Sequence, residues 1–268
     1  MTDYTNYPKA PYLTDNNESI DTTPYKFIVA SILDGTHPSD KFNHWVDVAY
    51  KAKKPLIGVV RIDPQYYSKD FTLGIWPAPE NDLILKILKT KLLAPDGITK
   101  YKVDAILIDM RTYYYADGMK IGGAWIGGVV NHIRDALKKW GFKTFLLTDI
   151  NAVTLYPNAT ENPSVMLTNE KLPIAVYQKG LTKTVGLKIP WASSAFLWWY
   201  GSSIVNGVLT PMFVSLVSED KLNSMLGTLV TTEPPVVIPP ILPPITGDKL
   251  DLIIYKLDVI IKLLQSGG

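Results

Sequence analysis

The stretch Val103-Asp104-Ala105-Ile106-Leu107-Ile108-Asp109-Met110-Arg111 reads as a buried strand that ends in two polar residues two positions apart. Side chains at i and i+2 of a strand leave on the same side, so Asp109 and Arg111 are expected to project together from its C-terminal end. In a parallel α/β barrel that end carries the chemistry. Two carboxylates there would suit cleavage of a glycosidic bond. Arg111, however, stays charged at any working pH and has no proton to give. The pattern is that of a sugar hydrolase whose acid is missing.

Outward from this stretch, short β-rich runs alternate with helical ones, the signature of βα units around a parallel sheet. Strands are expected at 27–33, 56–61, 72–76, 103–109, 144–149, 173–177, 186–189 and 195–200. Helices are expected at 40–53, 81–93, 125–140 and 219–226. The third is the best defined, with Ile126, Val129, Val130, Ile133, Leu137 and Trp140 on one face and Gly141 in the C′ position. The region 150–172 shows no clear helix, so the fold predicted is an irregular (β/α) TIM-like barrel over 25–230. Residues 1–24, polar and rich in Tyr, Asn, Asp and Thr, read as an extended arm.

At Thr231 the composition changes. The segment 231–247, with Pro234-Pro235, Pro239-Pro240 and Pro243-Pro244, reads as a stiff polyproline linker. Residues 248–268 read as an amphipathic helix, with Leu250, Ile253, Ile254, Leu257, Ile260, Ile261 and Leu264 in heptad-like spacing. Leu252, Val259 and Leu263 widen the apolar stripe beyond a two-stranded seam. A helix this apolar, set off by prolines, is expected to associate with copies of itself or with a partner helix, with folding back onto the barrel as the other reading.

The 268-residue chain is 47% hydrophobic and carries 27 basic against 25 acidic residues, a net charge of +2. It can bury a large core, and it lacks the basic face of a nucleic-acid binder. It has no cysteine, which excludes disulfides, thiolate metal sites and cysteine nucleophiles. The expectation is no cofactor, no metal site and no membrane span. Without an apolar leader, the chain is expected to be made in the cytoplasm and released by lysis or carried on a particle.

Several segments together resemble the glycoside hydrolase family 25 muramidases, the Chalaropsis-type lysozymes. Ile32-Leu33-Asp34-Gly35-Thr36-His37 resembles the family's opening strand, closed by an aspartate. Phe42-Asn43-His44-Trp45-Val46-Asp47-Val48-Ala49 resembles its first helix, and Thr72-Leu73-Gly74-Ile75-Trp76 a glycine-aromatic strand. Leu107-Ile108-Asp109-Met110-Arg111 is similar to the aspartate-x-glutamate strand, and Ala195-Phe196-Leu197-Trp198-Trp199-Tyr200 to a late aromatic strand. Phe213-Val214-Ser215-Leu216 and 219–226 resemble the closing segment and last helix. The resemblance spans 27–228 and implies a muramidase-like barrel acting on peptidoglycan.

It also implies four carboxylates, of which Asp34 and Asp109 match two. Arg111 stands where the acid is expected, and an apolar residue replaces the late aspartate near Phe213-Val214-Ser215. Losing a general acid costs about two to four orders of magnitude in rate, so the implied site is vestigial. Asp149 and Glu80 are the nearest substitutes. Glycan-binding candidates are Trp76, Tyr113, Tyr177, Trp198 and Tyr200; core packing is the default reading for Trp198 and Tyr200, whereas the triplet Tyr113-Tyr114-Tyr115 favours a binding surface. His44 and His132 read as structural, and His37 as a residue of the barrel mouth. The reading favoured by sequence is a pseudoenzyme: a muramidase-like barrel that binds glycan or neighbouring subunits, in the manner of a phage virion tail or decoration protein, clustered through a coiled-coil helix. The competing reading is an active peptidoglycan hydrolase with a rearranged acid.

Overall fold

A computed structural model describes residues 6–17, 20–62, 64–67, 77, 81–109, 123–149, 174–177 and 195–227. Its strands are β1 (Lys9–Leu13), β2 (Ile28–Asp34), β3 (His37–Pro38), β4 (Leu56–Arg61), β5 (Ala105–Asp109), β6 (Thr144–Asp149), β7 (Ile174–Tyr177), β8 (Ala195–Val205) and β9 (Val208–Ser215). Its helices are α1 (Phe42–Lys51), α2 (Leu83–Leu92), α3 (Gly123–Lys139) and α4 (Glu219–Leu226). The nine strands form one sheet in the order β1-β9-β8-β7-β6-β5-β4-β2-β3, and a further pairing of β1 with β2 closes it. Eight strands therefore make a closed barrel, and β3 hangs beside β2 as a short hairpin. The barrel is parallel except for β9, which runs against both β8 and β1.

Closure corrects the reading of the N-terminus. Residues 9–13 are extended, as expected, but they are a barrel strand and not a lead-in: Ala10 and Leu13 are fully buried. The late aromatic strand is also longer than expected. It runs to Val205 and turns back through Asn206 and Gly207, both with positive φ, into β9. That Asn-Gly pair between apolar runs is the usual two-residue hairpin connection, because both central residues must adopt φ > 0.

Inside the barrel, strand alternation stacks Tyr12, Val29, Ile57, Val59, Ala105, Leu107, Phe145, Leu147, Ala175, Leu197 and Phe213 into one cluster. α4 sends Leu222 and Leu226 into the same cluster. Its N-cap is Ser218, whose hydroxyl accepts from the Lys221 amide. The opposite set of strand side chains, including Ile28, Ala30, Ile106 and Ile108, is equally buried. Both faces covered is the expected state of a parallel sheet wrapped by helices. The face predicted for α3 is present, with Val129, Val130, Ile133 and Leu137 buried, and Gly141 takes φ +80° just beyond the helix. The expected strands at 72–76 and 186–189, the linker 231–247 and the helix 248–268 lie outside the described residues. No helix among the described residues is long and apolar enough to cross a membrane.

Candidate functional site at the barrel mouth

The inward positions of β4 and β5 continue from Ile57, Val59 and Ala105, Leu107 to Arg61 and Asp109. On β2 the register slips between Ser31 and Leu33, a bulge that brings Asp34 opposite Arg61. Asp34, Arg61 and Asp109 thus sit in register on three adjacent strands, at the C-terminal rim. Asp109 is 1% exposed. Arg61 Nη1 lies 3.1 Å from Asp34 Oδ1, and both side chains reach solvent. The sequence placed Asp34 and Asp109 at the mouth, and the structure brings them there together. It adds Arg61, the charged end of the buried run Leu56–Arg61.

Across the mouth stands an aromatic wall. Trp199 on β8 meets Tyr12 at 5.3 Å and 71°, and Tyr177 at 5.2 Å and 75°, both edge-on. Its indole Nε1 donates to the Gly201 carbonyl at 3.1 Å. Phe213 lies tilted against the same indole at 5.4 Å and 37°, so these three rings fix its plane and leave it half-buried. Tyr177 is where the sequence reading put a ring-stacking residue. Trp198 is not: it is 0% exposed, on the opposite face of β8. Tyr200 follows Trp198, with ring centroids 6.5 Å apart, and burial raises its phenol pKa. The inward ring is Trp199. In a Trp-Trp-Tyr run residue type gives the alternation no phase, so the sequence did not show that Trp198 is the buried ring and Trp199 the one at the cavity.

Between the charged row and this wall is a cavity of about 570 Å³, lined by Tyr12, Ser31, Asp34, His37, Arg61 and Trp199 together with the loop after β1. That loop is clasped in place. Ser39 Oγ donates to Asp15 Oδ1 at 2.6 Å, and the Lys41 amide does so at 3.0 Å. Burial works to raise the Asp15 pKa, but these bonds, the Asp40 amide and the Lys91 charge together hold it below the ordinary value. His37 lines the mouth as expected. A cavity with one apolar ring face and several hydroxyl, carboxylate and guanidinium groups is the chemistry of a polar, ring-shaped ligand. Trp76, Glu80, Arg111 and Tyr113 lie outside the described residues, as does the side chain of Asp149, whose backbone pairs with Tyr177.

A second polar cluster lies away from the cavity. Asp82, 0% exposed, accepts from the Tyr67 hydroxyl at 2.9 Å and the Leu85 amide at 3.1 Å, and His132 Nε2 lies 2.7 Å from it. Burial would raise the Asp82 pKa, but the His132, Leu85 and Tyr67 hydrogen bonds carry it below the usual carboxylate value. An ionised carboxylate only accepts, so His132 Nε2 is the donor. Asp82 is also the N-cap of α2, so this cluster ties α2, α3 and the turn at Pro64–Tyr67 together. No group of three or more His, Asp or Glu suited to a metal ion is present among the described residues.

No protein-family model and no curated protein sequence matches the chain. Its fold does match solved structures. A family 25 glycosyl hydrolase from Bacillus anthracis superposes with a TM-score of 0.58 at 14% identity, over 83% of this chain and 95% of that one. A bacterial lysozyme from Streptomyces coelicolor gives 0.57 at 12% identity, over 83% and 98%. The CTP1L endolysin gives 0.54 at 11% identity, over 82% and 70%.

Proposed function

We propose that this chain, whose barrel has the fold of family 25 lysozymes, binds peptidoglycan-type glycan at its mouth without cleaving it. The observation that carries the reading is one cavity lined by Trp199 and Tyr12 on one side and by the Asp34–Arg61 pair on the other, with buried Asp109 next to Arg61 in register. A sugar ring stacks on the indole while its hydroxyls meet the charged row. The similar structures are a glycosyl hydrolase, a lysozyme and an endolysin, which supports glycan as the ligand class. Loss of cleavage follows from chemistry. A retained Asp109 has no acid two residues on, where Arg111 stands. An arginine at that position in the sequence has no proton to give, and its charge would oppose the positive charge that develops on the sugar ring. The buried Asp109 favours a second reading, an active hydrolase whose proton comes from another group.

The test is sedimentation with insoluble peptidoglycan together with a reducing-end assay, run on the wild type, Trp199→Ala and Arg111→Glu. The wild type is expected to sediment and release no reducing ends. Trp199→Ala is expected to bind about tenfold more weakly, the loss of one stacking contact. Arg111→Glu is expected to gain cleavage. Reducing ends released by the wild type, and abolished by Asp109→Asn, would establish the hydrolase instead. A wild type that neither binds nor cleaves removes glycan as the ligand.

A further inference from the structure

β1 is held by short seams on both sides. Among the described residues, Tyr12 pairs with Val29 and Leu13 with Ala30 toward β2, while Lys9, Ala10 and Pro11 pair with Val214, Phe213 and Met212 toward β9. Pro11 brings no N–H to either ladder. By comparison, β2 and β4 pair from Ile28–Leu56 to Asp34–Arg61, interrupted only by the bulge between Ser31 and Leu33. The same short segment builds part of the mouth. Tyr12 stands edge-on to Trp199, and Thr14, Asp15 and Asn16 line the cavity. Beyond the buried side chains of Ala10, Tyr12 and Leu13, polar contacts hold the segment: Asp15 with Ser39 and Lys41, the Thr14 amide to Asn17 Oδ1 at 2.7 Å, the Ser215 amide to the Pro8 carbonyl at 2.8 Å, and Asn17 Nδ2 to Thr210 Oγ1 at 3.5 Å.

We infer that residues 6–17 form a releasable stave, whose seating between β9 and β2 completes the mouth and whose local release removes one wall of it. Segments with few ladder bonds open at lower free energy than the core they border. A ligand that touches the seated segment must then oppose its release, because it binds only the seated state. The strand's release stands on the pairing alone. The link to a ligand rests on the glycan-binding reading.

Native-state hydrogen exchange on the full chain tests both parts. Without ligand, the amides of Ala10, Tyr12 and Leu13 are expected to exchange at least about tenfold faster than those of Val59 and Leu107. Asp15→Ala should speed the β1 set further and leave the β4 and β5 amides unchanged. The chain has no cysteine, so Pro11→Cys with Met212→Cys supplies its only thiols, at register partners. Oxidation should bring the β1 amides down to the β4–β5 rate, and reductant should restore the difference. Equal exchange in both sets, unmoved by Asp15→Ala, overturns the stave. Soluble peptidoglycan fragments that bind by calorimetry should slow the β1 amides selectively. Binding that leaves β1 unchanged overturns the coupling alone. Fragments that do not bind overturn the coupling and the glycan reading together, while the strand's fast exchange would stand.

Discussion

Asp34 and Asp82 each face a basic partner, yet their surroundings give them different work. The Asp34–Arg61 pair is exposed, and such pairs contribute about 0–1 kcal/mol to stability. Its effect is to aim the guanidinium across the cavity. Asp82 is fully buried, and Tyr67, Leu85 and His132 converge on it. Asp82→Ala removes the acceptor they share and should cost about 2–4 kcal/mol, read as a lower urea midpoint at unchanged slope. The folded pKa of Asp82 lies below its unfolded value. Its contribution is therefore complete above the ordinary carboxylate pKa and drains away as pH falls through the lower folded value. The gap between wild type and Asp82→Ala should narrow below about pH 4; a gap that held constant to strong acid would trace the loss to packing. At this scale Asp109 was legible because alternation along its buried apolar run fixes its side, whereas Asp34 reaches the same rim only through the bulge between Ser31 and Leu33, which alternation does not show. The sequence reading missed Trp199, since three successive aromatics carry no phase and the register shift beyond Trp199 is invisible in composition.

Among the elements, the parallel strands and α3 were legible because period-2 and period-3.6 burial write themselves into residue type. β4 and β6 span 56–61 and 144–149, as expected. β1 was not legible. Its five residues include a lysine and a proline, and their burial comes from partners some 200 positions away. The β8–β9 hairpin carried a usable signal in Asn206-Gly207, a turn pair to which apolar alternation is blind. The β4–β5 seam makes its own prediction. Asp104 is half-buried and accepts from the Leu56 amide at 2.7 Å. Burial raises its pKa more than that bond and the nearby Lys102 and Lys143 charges lower it. A raised folded pKa means that its stability contribution is full below the unfolded value and is lost as pH rises through the folded one. Asp104→Asn keeps an acceptor for Leu56 without the buried charge. It should thus melt higher than the wild type at pH 7, with the difference shrinking by pH 4. A variant that melts lower at both values would mean that the carboxylate's attraction to the two lysines outweighs its burial.

For the whole molecule, the question is whether the barrel depends on residues 231–268. Among the described residues, the buried cluster runs from Ala10 to Leu226, and the barrel closes through β1, β2 and β9. The last described helix stops at Gly227, in the left-handed conformation of a helix C-terminus. Beyond it the sequence turns to paired prolines and then to the apolar heptads of 248–268. A helix over 248–268, as the heptad spacing predicts, would be marginal alone in water, and its apolar stripe would ask for a partner. We therefore expect deletion of 231–268 to convert an oligomer into a monomer by light scattering. The melting temperature of the barrel should shift by no more than ~2 °C, less than a 1 kcal/mol change gives a domain of this size. The full chain's assembly should also depend on concentration, because association of helices is second order in chain or higher. A full-length chain that stays monomeric, or a truncated one that melts well below it, would mean that the helix packs on the barrel. In that case the proline segment is a strap and not a spacer.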